Sequence, residues 1–279
     1  MTEPHMSEPS MPLTSVDDAA FSTFLDRALD VARDAAAVAA QVIREHYRRG
    51  VAVETKADQT PVTIADREAE TAIKNVLRQA FPQHAFYGEE HGREGDSEFL
   101  WLIDPIDGTK AFVRRYPMFS TQIALMHRGE LVLGVSSAPE YGEIAWARRG
   151  GGAFLDGAPL RASTTAEFGP GTAVSIGNVK TLTRDARWNV LGELIRRSGR
   201  IRGYGDFLHY HLLARGAIDL VIESDVNILD VAALAVIVRE AGGVFTTLEG
   251  GELALDTSSV LAGAPALHAE ALAMFSAGA

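Results

Sequence analysis
The stretch "EFLWLIDPIDGTKAFV", Glu98 to Val113, joins two unlike halves. FLWLI is an apolar run of strand length, and it leads straight into Asp104, Pro105, Asp107, Gly108 and Thr109. The apolar half reads as a buried central strand. Pro105 has no N–H to donate, so the ladder is expected to stop just past Asp104. The turn then sets Asp107 beside Asp104, with the Ile106 carbonyl between them. Two carboxylates this close repel one another unless a cation lies between them. Hard divalent ions such as magnesium take their ligands from carboxylates, carbonyls and water. Ordinary turn chemistry explains the same letters, because Asp and Gly are both turn formers. From this spacing alone both accounts stay open.

Outward from that stretch, the chain of 279 residues is long enough for two modest domains or one large α/β unit, and 47% of it is hydrophobic. A formal net charge of −11 disfavours nucleic acid as a partner. There is no cysteine, which removes disulfides, thiolate zinc sites and cysteine nucleophiles, and fits a cytoplasmic protein. No apolar run approaches the roughly 18–20 residues that span a bilayer, so no membrane partner is expected. The opening "MTEPHMSEPSMPLTS", residues 1–15, is polar and carries prolines without an apolar signal core. It reads as a disordered leader, or as a sign that Met6 or Met11 is the true start.

Helical periodicity runs from Ser15 to about Arg49 through Phe21, Leu25, Leu29, Ala36 and Val42. Ser15 with Asp18 has capping-box spacing, and Gly50 sits where a C-terminal cap belongs. A second helix is expected to end near Pro82. From Glu98 to about Arg161 short runs alternate with turn signals at Arg128-Gly129, Glu140-Gly142 and Gly150-Gly152, the pattern of an antiparallel meander. Beyond Gly169-Pro170 strand and helix patterns alternate, which predicts a parallel or mixed α/β layer. Two halves are therefore expected, 16–165 as an α+β half with most of the acidic site, and 166–279 as an α/β half with the specificity elements. The glycines of "RRGGGAF" match a hairpin turn better than a phosphate loop.

Three further acids sit where elements begin or end. Glu89 in "FYGEEHGRE" follows a short apolar strand, Asp66 follows "VTIA", and Asp230 in "VNILDVAAL" begins a helix. Each also has a plain structural account: Asp230 as a helix cap, and Asp66 in a capping box with Thr63.

Together, "KADQTPVTIAD" at 56–66, "GEE" at 88–90, "WLIDPIDGTKAFV" at 101–113 and "ILDVAAL" at 228–234 resemble the signatures of the inositol monophosphatase superfamily. The likeness runs from about Asp18 to the C-terminus. Leu229 departs from it, where the family usually has tryptophan. The resemblance implies a layered αβαβα sandwich of the inositol monophosphatase and fructose-1,6-bisphosphatase type, mixing α+β and α/β character, in a homodimer. It implies two to three Mg2+ per site, with Mn2+ as a substitute. Glu89, Asp104 and the Ile106 carbonyl would hold a first ion. Asp104, Asp107 and Asp230 would hold a second, and Glu89 would help hold a third through water. Asp66 and Thr109 would orient and deprotonate the attacking water, and Gly108 and Thr109 would meet the phosphate with backbone N–H groups. The chemistry is consistent with that set, because a metal pair neutralises a phosphomonoester and activates water without any protein nucleophile.

Within that superfamily, residues 202–243 resemble the histidinol-phosphatase branch, most closely at "GYGDF", with "DGTK" a second point of similarity. Gly205 and Asp206 fall in the alcohol-binding loop, and Glu223 at a second substrate position. Histidinol phosphate carries an ammonium and an imidazole, both of which favour nearby carboxylates. Asp206 also reads as a cap for a helix starting at Phe207. His209 and His211, two apart, point to different sides of a helix and read as core or surface groups. Lys110, Arg114 and Arg115 are candidate phosphate or substrate contacts, with solvated surface charge as the alternative. The expected activity is hydrolysis of the small phosphomonoester L-histidinol phosphate, in histidine biosynthesis. The alternatives are inositol 1-phosphate, fructose 1,6-bisphosphate, a nucleotide 3′-phosphate, or a non-catalytic binding module.

Overall fold
The computed structural model describes residues 15–49, 53–55 and 61–277. Residues 1–14, Gly50 and the side chain of Ser15 lie outside the described residues, and so do the expectations placed on them. Helices α1 (Ser15–Arg49) and α2 (Ile64–Ala80) are separated in sequence by a short hairpin, β1 (Val53–Thr55) and β2 (Pro61–Thr63). The first large sheet takes β3 (Ala85–Gly88), β4 (Gly92–Glu94), β5 (Phe99–Asp107), β6 (Ser120–His127), β7 (Glu130–Ala138), β8 (Glu143–Arg148), β9 (Gly152–Leu155) and β10 (Ala158–Pro159). A one-turn helix, α3 (Thr109–Val113), follows β5. The remaining elements are β11 (Ala173–Ile176), α4 (Arg187–Arg197), β12 (Arg200–Arg202), α5 (Asp206–Ala214), β13 (Leu220–Ser224), α6 (Ile228–Glu240), β14 (Val244–Thr246), β15 (Ser259–Gly263) and α7 (Pro265–Ala277).

The eight strands of the first sheet run in the order β10-β9-β8-β7-β6-β5-β3-β4, a meander except for the parallel pair β3 and β5. Its β6–β7 hairpin turns on Arg128 and Gly129, both at positive φ (52° and 85°), the conformation that suits a tight two-residue turn. The second sheet has five strands ordered β12-β11-β13-β15-β14, with β11 parallel to both neighbours and β15 antiparallel to its own.

Strand periodicity sorts the side chains into layers. Trp101 and Ile103 of β5 pack with Leu25, Ala28, Ala32 and Ile43 of α1 and Ile73 and Leu77 of α2. The alternate residues Leu100 and Leu102 point the other way, into a core shared with α5 and α6. Val221 of β13 closes that shared core from the second sheet, while Leu220 and Ile222 face α4 and α7 through Leu191, Leu194 and Leu267. The layers are thus helix, sheet, helix, sheet, helix. α6 lies between two sheets and is apolar all round, with ten of its thirteen residues buried. β7 approaches it so closely that a Cβ at Gly134 would stand 2.3 Å from the Ala233 carbonyl.

One local expectation changes. Pro105 does not end β5: pairing resumes at Asp107 after a bulge, so the missing N–H costs one rung and not the strand. The glycine-containing, charged segment 90–97 includes the edge strand β4. Lys74 and Arg78 of α2 tie it down, each donating to Glu94 at 2.7 Å.

Candidate active site
Two parallel strands end side by side. Gly88 of β3 pairs with Ile103 of β5, so the next residues, Glu89 and Asp104, emerge together, and the Glu89 N–H donates to the Ile103 carbonyl at 3.1 Å. Residues three apart on a regular strand face opposite sides. The bulge cancels that: Asp104 pairs with Gln122 and Asp107 with Ser120, three steps on β5 against two on β6. The extra residue turns both aspartates toward one cleft. Thr121 Oγ1 steadies the bulge by donating to the Pro105 carbonyl at 2.9 Å.

Asp66 and Asp230 arrive by a second device, used twice. Thr63 caps α2 and Asn227 caps α6, and each aspartate is the third helical residue, reaching back to the cap's N–H. Asp66 Oδ2 accepts from Thr63 N at 2.8 Å and from Thr63 Oγ1 at 2.6 Å. Asp230 Oδ2 accepts from Asn227 N at 2.9 Å. Asp230 is therefore not the cap itself but the cap's partner. The capping and site readings of these two residues do not compete: Asp66 gives its other oxygen to Thr109, and Asp230 lines the cleft although its Oδ1 also accepts from Asn227 Nδ2 at 2.7 Å.

The cleft, of about 310 Å³, is lined by Glu89, Asp104, Ile106, Asp107, Gly108, Thr109, Lys110, Tyr116, Asp206 and Asp230 among others. One oxygen each from Asp104, Asp107 and Asp230 lie within 4.8 Å of one another. Burial, reinforced by Glu89 and by Asp107 and Asp230, pushes Asp104 well above the usual carboxylate range. Asp107 is raised likewise by burial and by Asp206 and Asp230, against a 3.2 Å hydrogen bond from Ser120. Burial carries Asp230 up to about 7, with Glu89 adding to it and the Asn227 N–H opposing. Such a cluster holds protons or a cation, and its all-carboxylate donors suit a hard divalent metal. Thr109 Oγ1 sits 3.0 Å from the Ile106 carbonyl and 3.3 Å from Asp66 Oδ1. Asp66 itself is raised, mainly by burial. Gly108 stands at φ 90°, where a Cβ would come within 2.5 Å of the Met118 carbonyl.

The inositol monophosphatase family model matches residues 25–277. The chain belongs to the inositol monophosphatase family. It is a phosphatase of that family, a phosphoric monoester hydrolase. A histidinol-phosphatase of Mycobacterium tuberculosis is 40% identical over 239 residues, 81% of this chain and 88% of that protein. One from Streptomyces coelicolor is 41% identical over 216 residues, covering 71% and 77%. The solved structure of the extragenic suppressor protein suhB from Bartonella henselae superposes with a TM-score of 0.81 at 30% identity, over 90% of this chain and 98% of that one. The likeness extends to the fold: the five layers here are those of an inositol monophosphatase sandwich.

Set against the family's sites, this phosphatase places its remaining candidates unequally. Asp206 lines the cleft, but it does not cap α5. Gly205 holds that position, without a side-chain cap bond, and Asp206 follows at φ 45°. Glu223 is 7% exposed and does not line the cleft; its carboxylate is taken up by protein groups beneath it. Lys110 reaches the cleft, whereas Arg115 turns back to donate to the Tyr47 and Arg48 carbonyls of α1. Leu229 is buried in the shared core. His209 and His211 are fully buried on different sides of α5, His209 beside Glu223 and His211 between Ser136 at 2.9 Å and Glu143 at 3.2 Å. Sequence reasoning missed Ser120, Tyr116 and Tyr210 as parts of this neighbourhood. Its one clue was a helix, FLHYHLLA, too apolar for its histidines and tyrosine to be surface groups. Among the described residues no helix is long and apolar enough to cross a membrane.

Proposed function
We propose that this phosphatase hydrolyses L-histidinol phosphate to L-histidinol and phosphate, with Mg2+ as the divalent cation and Mn2+ as a substitute. Asp206 carries the reading. It is a carboxylate in the cleft outside the Asp104, Asp107 and Asp230 cluster, in the "GYGDF" stretch that resembles the histidinol-phosphatase branch. A cationic leaving alcohol gains a charge-assisted hydrogen bond from such a group, whereas a neutral polyol gains much less.

The cations would be held by Glu89, Asp104, Asp107, Asp230 and the Ile106 carbonyl. When bound there, they neutralise the phosphate and make the attacking water more acidic. The rest falls to the chain's own groups. Hydrolysis forms a P–O bond to water and breaks the one to the alcohol, so the water must lose a proton and the departing alkoxide must take one up. Thr109 Oγ1 is set to accept it while passing its own hydrogen to Asp66 Oδ1, 3.3 Å away. Burial raises Asp66 and so makes it a better base than a surface aspartate. Asp66 Oδ2 stays bound to Thr63, which keeps the carboxylate aimed. Ser120 fixes Asp107 from behind.

Phosphate release from L-histidinol phosphate, inositol 1-phosphate and glycerol 2-phosphate, with and without Mg2+, tests the proposal. We expect L-histidinol phosphate to have the highest kcat/KM and all turnover to stop in chelator. Equal rates on all three esters would remove histidinol phosphate as the preferred substrate. Turnover unaffected by chelator would remove the metal.

A further inference from the structure
Helix α2 carries a buried polar row. Asp66, Glu70 and Lys74 stand four residues apart and so share one face of it. Asp66 and Glu70 are fully buried and Lys74 nearly so. Glu70 lies one turn beyond Asp66, and its carboxylate reaches the turn that follows β3. Its Oε2 accepts from the Glu90 N–H at 2.7 Å, and its Oε1 accepts from the His91 N–H at 3.3 Å. The same Oε1 lies 2.8 Å from Lys74 Nζ and 2.9 Å from His91 Nδ1. β3 passes so close that a Cβ on Gly88 would stand 2.0 Å from Oε1.

That turn presents Glu89 to the cleft. Residues 89–91 join Gly88 of β3 to Gly92 of β4, which pair with each other. All three N–H groups of the turn are bound outside the hairpin. Glu89 donates to the Ile103 carbonyl of β5, and Glu90 and His91 both donate to Glu70. The position of the turn is therefore set by β5 on one side and by one side chain of α2 on the other. Stability is a poor account of that side chain. A buried ion pair such as Glu70 with Lys74 often adds no more to a fold than apolar residues of similar volume would. What an apolar residue cannot do is accept two backbone N–H groups.

We propose that Glu70 is a positioning residue for Glu89. By taking the N–H groups of the two residues that follow, it fixes where the Glu89 carboxylate stands beside Asp104. One face of α2 then registers two parts of the site, Asp66 directly and Glu89 through Glu70. This rests on the reading of the cleft as a divalent-cation site, and it is independent of which ester is hydrolysed.

Mn2+ binding by titration calorimetry tests the assignment, with melting in chelator followed beside it. Two double variants differ only in the acceptor. Glu70→Gln with Lys74→Met keeps an oxygen for the Glu90 N–H, whereas Glu70→Leu with Lys74→Met keeps none, and neither leaves Lys74 without its partner. The Glu70→Leu pair should bind Mn2+ about ten- to a hundredfold more weakly than the Glu70→Gln pair, the usual cost of losing a partner behind a metal ligand. In a Glu89→Gln background, where Asp104, Asp107 and Asp230 still offer oxygens to the ion, that difference should vanish. Equal Mn2+ affinity of the two pairs, with only the melting temperature moved, would make Glu70 a folding residue and overturn the inference. A difference that persists with Glu89→Gln would overturn it too, since Glu70 would then act through another group. Both results leave the cation reading standing. An unaltered enzyme that binds no Mn2+ overturns that reading and the inference together. Should the Glu70→Leu pair fail to fold, Glu70→Asp takes its place with the unaltered enzyme as reference, because it keeps the charge and ends one carbon short of the turn.

Discussion
Replacing Asp230 by asparagine should make the metal-free protein more stable and the metal-loaded protein less so. Burial carries Asp230 from an ordinary 3.8 up to about 7 in the folded chain. A raised acid binds its proton more tightly folded than unfolded. Its contribution is therefore fully present below pH 3.8, is lost as pH rises toward 7, and stays lost above that. Each tenfold gain in proton affinity on folding is worth about 1.4 kcal/mol, so complete ionisation costs about 4 kcal/mol. Asp230 is only partly shielded and faces an open cleft, and solvent screening reduces the figure to about 2 kcal/mol. Asparagine is neutral at every pH and its Oδ1 can still accept from the Asn227 N–H, although the 2.7 Å hydrogen bond from Asn227 Nδ2 is given up. In chelator at pH 8.5, Asp230→Asn should melt about 3 °C higher than the unaltered protein, given about 2.1 cal/mol/K per residue over 279 residues. At pH 4 the two should coincide. Excess Mg2+ should invert the order at pH 8.5, because binding stabilises only the chain that keeps its ligands. A calorimetric scan across pH with and without chelator gives all three readings. An asparagine variant no more stable than its parent at pH 8.5 in chelator would refute the claim that these carboxylates strain the empty cluster.

Asp104→Asn removes a buried carboxylate from the centre of the cluster and should cut phosphate release by at least about a hundredfold while leaving the circular dichroism spectrum unchanged. Asp66→Asn should lower kcat by about 10²- to 10⁴-fold with little change in KM, as loss of a general base does; an unchanged kcat would take Asp66 out of the proton path. Gly108→Ala meets both a φ of 90° and the Met118 carbonyl, and should destabilise by about 1–2 kcal/mol from the backbone alone, measurable as a lower urea midpoint. Gly88→Ala would drive its methyl to 2.0 Å from Glu70 Oε1, a carboxylate that also pairs with Lys74 and accepts from the Glu90 N–H. It should lower the melting temperature and weaken Mn2+ binding by calorimetry through the displaced Glu89 loop.

Legibility in the sequence differed from element to element for physical reasons. The meander announced itself because period-two alternation and positive-φ glycine turns are local properties. α1 and α2 were equally plain, since an amphipathic stripe is written in spacing. The bulge in β5 was not. Pro105 signals a lost donor, but whether a strand stops or skips one residue depends on what its neighbour offers. Here β6 supplies Ser120 and Gln122 in register and Thr121 to hold the Pro105 carbonyl. Asp66 and Asp230 looked ambiguous between cap partner and site residue, and the ambiguity was only apparent. Asp66 gives one oxygen to Thr63 and the other to Thr109, and Asp230, held by Asn227 through both oxygens, still lines the cleft. Glu223, which the resemblance marks for the substrate, is buried, with its carboxylate accepting from Tyr210 and the Asn178 N–H, and no local pattern announces those partners.

What the letters alone carried is the family, through four motifs in fixed order that resemble its signatures, and with that resemblance the layered fold and the candidate acids. Tertiary structure decided which way those acids point. The bulge brings Asp104 and Asp107 to one side of a strand that would otherwise part them. Two helix caps turn Asp66 and Asp230 inward from separate halves of the chain. The turn into α5 brings Asp206 to the cleft lining. Direction is a property of pairing, capping and packing partners distant in sequence, and no local pattern carries it.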